Sequence, residues 1–337
     1  MKVSGDVVVD LQYGDCGKGK VSYDLSGRGG YTNVVRFNGG ANAGHTIYHG
    51  GKKYVTHLVP AGVFHGVPCL VGSGCVVDEL KLLRELEELE GLGVRAFDLV
   101  RVSSAAHLVT EGHVNEELFE SRIGTTRSGI GPCYRDKYAR VGKRVCDSEK
   151  LSSLGLVVDQ YEYLWGGKGS RLLLEGAQGF GLDIDWGDYP YVSSSTCTVS
   201  GALGVGLPVW GVGSVFGVAK PYVTYVGSKS FGDPELDELR ELGQEYGATT
   251  GRARQCNWLN VDELLKASNV NGVTHLIFNK MDILEGFGRV KMYCGGELVN
   301  FGSDMNGFMD EVEGRLYSGC DSIEDITWSR SAGSIYG

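Results

Sequence analysis

Directly after the apolar run Val7-Val8-Val9, the chain reads Gly14-Asp15-Cys16-Gly17-Lys18-Gly19-Lys20. This comes close to the phosphate-cradling pattern G-x-x-x-x-G-K-[ST], but Val21 stands where a hydroxyl should bind Mg²⁺. Glycines let backbone N–H groups close on phosphate oxygens, and Lys18 and Lys20 add positive charge. Asp15 is out of place in such a loop, because a carboxylate repels the phosphates around it. Its presence makes chemical sense if it ligates a metal or removes a proton. The plainer alternative is a glycine-rich turn after a strand, so other segments have to supply the missing parts.

Further segments do so in order. Asn38-Gly39-Gly40-Ala41-Asn42-Ala43-Gly44-His45-Thr46 holds one ionisable side chain, His45, among residues small enough to let backbone approach a ligand. A histidine there can exchange a proton near neutral pH, or be structural. Ile123-Gly124-Thr125-Thr126-Arg127-Ser128-Gly129-Ile130-Gly131-Pro132, with Arg140 downstream, is a phosphate-binding set or the capped start of a helix. In Glu175-Gly176-Ala177-Gln178-Gly179, a Gln at a strand end can donate and accept at once, which suits a purine edge. Asp183 and Asp185 beyond it read as turn or capping residues before a paired-carboxylate site. Tyr246-Gly247-Ala248-Thr249-Thr250-Gly251-Arg252-Ala253-Arg254 offers two guanidinium forks for carboxylate or phosphate. Asn279-Lys280-Met281-Asp282 fits N-K-x-D, the guanine-reading element of many GTPases.

These loops need rigid supports, and the apolar pattern provides them. Short runs at 7–11, 34–37, 54–59, 99–102, 172–174 and 274–278 read as strands. Asp78 can cap a helix through Glu90 whose apolar face is Leu82, Leu83, Leu86 and Leu89; stretches 261–268 and 306–316 read similarly. Strands alternating with helices predict an α/β fold: a mostly parallel central sheet, helices on both faces, phosphate loops at the strand carboxyl ends. No linker or repeat divides the chain, so residues 1–337 are expected to form a single domain. A net charge of −10 argues against a nucleic-acid surface, so phosphate must be held by local Lys and Arg. Nine Cys without a C-x-x-C pair point to neither a disulfide framework nor a zinc site. No basic leader or long apolar run is present, and the expected location is the cytoplasm.

Together with Tyr189-Pro190-Tyr191-Val192-Ser193, these segments resemble the adenylosuccinate synthetase family over almost the whole chain. The resemblance implies a C–N ligase that joins aspartate to C6 of a 6-oxopurine nucleotide, after an NTP γ-phosphoryl moves to O6. It implies Asp15 as general base at purine N1 and His45 as general acid at O6, with Mg²⁺ on Asp15 and the Gly44 carbonyl. The implied NTP site is Gly14, Asp15, Cys16, Gly17, Lys18, Gly19, Lys20, His45, Thr46, Arg254, Lys280 and Asp282. The purine nucleotide would meet Asn42, Ala43, Thr125, Thr126, Gln178, Ser193 and Arg252, with Arg140 supplied by the other subunit of a homodimer. Aspartate would bind Ala248, Thr249, Thr250, Gly251, Arg252 and Arg254. Neither nucleic acid nor membrane is an expected partner.

The departures from the family pattern also carry an expectation. The stretch between Arg144 and Leu172 is short, Cys16 replaces a Glu, Ser193 a Thr, and Ala253 interrupts a run of Arg. The usual C-terminal S-T-G-P is not recognisable in Ile326-Thr327-Trp328-Ser329-Arg330-Ser331. The short length, the altered first loop and the altered C-terminus together look like the phage-encoded branch, which implies dGMP in place of IMP and ATP in place of GTP, for 2-aminoadenine DNA in a host cytoplasm. Cys16 would then leave room at the purine C2 edge. The alternatives are adenylosuccinate synthesis from IMP and GTP, and a GTPase-like switch, in which Arg252 and Arg254 would have no task.

Overall fold

The computed structural model describes residues 2–120, 122–167, 169–247 and 251–335. At its centre lies a nine-stranded sheet in which every neighbouring pair runs parallel. From one edge to the other the strands are Asp325–Trp328, His275–Phe278, Val212–Ala219, Val3–Asp10, Ser170–Glu175, Asn33–Arg36, Cys69–Val71, Val100–Ser103 and Val157–Val158. A parallel sheet has to be covered on both faces, and the first strand shows this residue by residue. Val7 and Val9 enter one apolar cluster and Val8 enters the other, all without exposure.

Helices supply the covering layers. Glu79–Gly91 starts where the Asp78 carboxylate accepts from the Lys81 N–H at 3.0 Å, and Leu82, Leu83, Leu86 and Leu89 are buried beneath it. The helices Val261–Asn271 and Met305–Gly319 enclose the stretches expected from periodicity. Among the described residues no helix is long and apolar enough to cross a membrane.

One strand expectation needs correcting, and a strand at the centre of the sheet escaped the sequence. Run 54–59 is not in the central sheet: Lys52–Thr56 pairs antiparallel with His45–His49 as a hairpin. The strand Val212–Ala219, beside the first strand, was not expected, because Gly213 and Gly217 break its apolar run. Gly217 is needed there, since a Cβ would lie 2.7 Å from Leu11 Cδ1. A second sheet is mixed: Tyr222–Tyr225, Gln255–Asn260, Val290–Cys294 and Glu297–Gly302. The carboxyl ends of the central strands lead into segments 14–20, 38–46, 176–179 and 279–282, where ligands of open parallel sheets gather.

Candidate active site

A cavity of about 590 Å³ opens over those carboxyl ends, with a lining that runs from Tyr13 to Ala332. Every described residue expected at a binding or catalytic site contributes to it except Gly251 and Arg140. Ala248, Thr249 and Thr250 lie outside the described residues. Asp15 (φ 59), Gln178 (φ 58), Gln244 (φ 48) and Lys280 (φ 64) line it in left-handed backbone conformations, which cost free energy and gather at working sites.

The phosphate loop is built around a residue the motif does not contain. Buried Asp10 ends the first strand and accepts from the N–H groups of Gln12 (3.0 Å), Gly14 (3.1 Å) and Cys16 (3.1 Å). Its other partner is the Lys18 ammonium at 3.1 Å. Two of the N–H groups expected to cradle phosphate, and one of the two lysines, are thus held by an internal carboxylate. The N-terminus of the helix Lys18–Gly27 remains for an anion. Gly19 lets that helix approach the next loop, since a Cβ there would stand 2.6 Å from the Cβ of His45.

His45 begins the hairpin and is paired from below. Its Nδ1 lies 2.6 Å from Glu175 Oε1, the acid that ends a neighbouring strand. Arg36 Nη2 donates to the same oxygen at 2.6 Å and stands 3.2 Å from the ring nitrogen. Burial, with Arg36 beside it, lowers the imidazole pKa to about 4. Burial would raise the Glu175 carboxyl, but Arg36 and His45 outweigh it and bring that group to about 2. Near neutral pH the ring is neutral, its Nδ1 proton is directed at the carboxylate, and Nε2 is left for a ligand.

A pH dependence follows. Unfolded His45 takes a proton near 6.5, and the folded protein refuses it until about 4, so stability falls as pH drops across that window. The Glu175 contribution is lost lower, from 4.5 down to about 2. The melting temperature should therefore decline on acidification from pH 6.5 to 4, with a shallower slope in His45→Asn. Equal slopes in thermal melts of the two proteins would contradict the assignment.

Elsewhere in the lining, Arg254 Nη2 lies 3.0 Å from Asp15 Oδ2, and Arg254 Nη1 bonds Glu245 Oε2. Lys280 does not stand free above a base: its ammonium donates to the Gly243 carbonyl and to Glu245 Oε1, both at 2.7 Å. Lys20 donates to Asn279 Oδ1 and Ser329 Oγ at 2.8 Å and to the Ser331 carbonyl, and burial lowers its pKa to about 8. Ser331 and Ala332 line the cavity near Asp282, so the C-terminal segment closes on the phosphate loop although it lacks the expected motif. Cys16 is buried, and its thiol donates to Gln12 Oε1 at 3.1 Å and the Gly14 carbonyl at 3.4 Å.

Thr125 and Thr126 face the cavity, but Glu117 Oε2 and Oε1 already accept from the N–H groups of Gly129 (2.8 Å) and Gly131 (3.0 Å). That helix start is capped internally and does not offer those amides to a phosphate. Arg252 Nη1 donates to the Gly124 carbonyl at 3.1 Å, tying two loops together. Asn42 Oδ1 accepts from the Gly40 N–H, and Gln178 Oε1 from Ser195 Oγ at 3.3 Å. Asp183 serves as a turn organiser, accepting from the N–H groups of Asp185, Trp186 and Cys197. Arg140 is exposed at the end of the helix Ile130–Ala139, off its own chain's cavity.

Asp10, Arg36, Lys220 and Glu245 had no signal in the motifs. An acid at the end of an apolar strand, facing a glycine loop rich in N–H groups, is the pattern that marks Asp10. Among the described residues no cluster of three or more His, Cys, Asp or Glu could hold a metal. One carboxylate, Asp15, and backbone oxygens such as Gly44 do suit Mg²⁺, which accepts few protein ligands and keeps waters and phosphate oxygens for the rest.

A parallel sheet with phosphate-type loops, a buried acid–imidazole pair and paired guanidiniums at its carboxyl edge defines a nucleotide-dependent enzyme. The chain belongs to the adenylosuccinate synthetase family, whose pattern matches residues 7–160 and 148–304, and is a C–N ligase of that type. It is 40% identical over 358 residues to the adenylosuccinate synthetase of Chlorobium chlorochromatii (strain CaD3), covering 88% of this chain and 82% of that protein. The enzyme of Xylella fastidiosa (strain M12) is 40% identical over 342 residues, covering 85% and 79%. Fully ligated adenylosuccinate synthetase from Plasmodium falciparum superposes with a TM-score of 0.84, at 28% identity over 98% of each chain. The succinoaminodeoxyadenylate synthetase of cyanophage S-2L, bound to dGMP and dATP as an energy donor, gives a TM-score of 0.76 over 99% and 94%. At 22% identity that likeness concerns the fold.

Proposed function

We propose that this enzyme joins L-aspartate to C6 of IMP with GTP as phosphoryl donor, releasing GDP and phosphate. The observation that carries the reading is the convergence of Asp15, the Glu175–His45 pair and Arg252–Arg254 on one cavity. Asp15 takes the proton from purine N1, the electron pair shifts to O6, and O6 attacks the γ-phosphorus. With the anionic ligands bound, His45 is protonated at both ring nitrogens: Nε2 donates to the charge developing at O6, and Glu175, accepting from Nδ1, stabilises the imidazolium that donates. The aspartate amine then attacks C6 and phosphate leaves. Arg252 and Arg254, with residues 248–251, hold the aspartate carboxylates. Asn42 and Gln178 hold the purine; Thr126, Ser193 and the partner subunit's Arg140 hold its 5′-phosphate. Mg²⁺ on Asp15 and the Gly44 carbonyl would neutralise phosphate charge. One cavity lined from Tyr13 to Ala332 supports treating residues 1–337 as one catalytic unit.

The choice of IMP and GTP rests on three supports. The named relatives at about 40% identity are adenylosuccinate synthetases. Cys16, expected to open the C2 edge, has its thiol bound to Gln12 and Gly14. The C-terminal segment, although it lacks a recognisable S-T-G-P, still holds Lys20 of the phosphate loop through Ser329 and Ser331. Phosphate release should be assayed with IMP or dGMP, each crossed with GTP and ATP. IMP with GTP should give the highest kcat/KM. Preference for dGMP with ATP would establish the phage-type reaction, and hydrolysis without aspartate would establish a switch.

The dimer can be tested by complementation. Asp15→Asn and Arg140→Ala should each be inactive alone. A hybrid dimer holds one site with both residues intact, so an equal mixture should recover about a quarter of wild-type activity. No recovery despite demonstrated subunit exchange would place Arg140 outside the partner's site.

A further inference from the structure

We infer that Glu245 is a positioning residue that couples the turn reading the donor base to the catalytic carboxylate Asp15. Its carboxylate is fully buried and collects donors from separate parts of the chain. Oε1 accepts from Tyr222 Oη at 2.7 Å, Lys280 Nζ at 2.7 Å and Lys220 Nζ at 3.2 Å, and Oε2 accepts from Arg254 Nη1. Lys220 follows the strand Val212–Ala219, Lys280 follows His275–Phe278, and Arg254 precedes Gln255–Asn260. One carboxylate thus faces three cations that line a single cavity.

Arg254 gives the cluster its direction. Its guanidinium is shared between Glu245 and Asp15, and Lys280 competes for the same Glu245 carboxylate. A donor base seated at Asp282 lies two residues from Lys280 and displaces its ammonium from Oε1. Glu245 then draws Arg254 more strongly, and the hold of Arg254 on Asp15 weakens, freeing that carboxylate to take a proton. The same shift moves Arg254 relative to the aspartate carboxylates, so donor and aspartate binding are linked, and the linkage is reciprocal. The inference rests on the proposed function, because it takes Asp282 and Arg254 as donor-side and aspartate-side groups.

The test is steady-state phosphate release with GTP and aspartate varied against each other at saturating IMP. In the wild type, the aspartate KM should fall several-fold as GTP approaches saturation. In Glu245→Gln, kcat should drop at least tenfold and the aspartate KM should become independent of GTP. Lys280→Met cuts the link from the other end and should abolish the same dependence; the double variant should add nothing to Glu245→Gln. Near-UV circular dichroism and thermal melting report folding, and Lys280→Met carries the test alone if Glu245→Gln does not fold. A wild-type aspartate KM indifferent to GTP, a dependence that survives in a folded variant, or independent effects in the double variant would each overturn the inference. Absence of aspartate-dependent phosphate release in the wild type would instead overturn the functional reading.

Discussion

Asp15→Asn is expected to lower kcat by on the order of 10²–10⁴, the usual contribution of a positioned general base, and to leave the fold intact. The side chain is 33% exposed toward the cavity, and asparagine tolerates the left-handed backbone at φ 59, so little folding free energy rests on the carboxylate. The amide cannot accept the N1 proton and is a poor ligand for Mg²⁺. It also leaves Arg254 with Glu245 as its anionic partner, which removes the balance that sets the guanidinium between the two acids. The check is phosphate release with thermal melting on the same preparation. Near-normal kcat in a folded variant would remove Asp15 from the base role.

His45→Ala should abolish phosphoryl transfer with donor binding largely kept, a loss of about 10²–10⁴ in rate. The arrangement beneath the ring makes this variant informative. With the imidazole gone, Glu175 still pairs with Arg36 at 2.6 Å and accepts from the Ala61 N–H at 2.9 Å, so the buried charges stay compensated. Removing Glu175 would do more damage, since Arg36 already has Nε and Nη1 without partners among the described residues. Leaving that buried guanidinium unpaired would cost about 3–5 kcal/mol and confound activity with folding. Calorimetric titration with GTP beside turnover separates the two roles. An active His45→Ala variant would make the histidine structural.

Much of the site was legible because glycine loops, hydroxyls and guanidiniums occur as short contiguous segments. Segments 14–20 and 42–46 are short glycine-containing loops and 279–282 fits N-K-x-D, and the cavity brings the three together. What the sequence hid are contacts between residues far apart in the chain. Glu175 and His45 are separated by 130 positions, and Lys20 and Ser331 by 311. No local pattern links such residues, since only the strand order of the sheet makes them neighbours. The strand Val212–Ala219 escaped for the opposite reason. Its two glycines, demanded by close packing, erase the apolar run that periodicity needs. Lys18 shows how a motif can mislead about a side chain, because Asp10 lies at the end of the preceding strand and captures its ammonium.

The central claim is that the oxygen on C6 of the purine becomes the phosphoryl acceptor and leaves as phosphate. The direct measurement uses IMP carrying ¹⁸O at O6, with GTP and aspartate in unlabelled water, and follows the label by mass spectrometry. If O6 is phosphorylated and then displaced, the released phosphate carries the ¹⁸O and the aspartate adduct does not. Unlabelled phosphate would contradict the account, because it would mean that water, not the purine oxygen, had taken the γ-phosphoryl group.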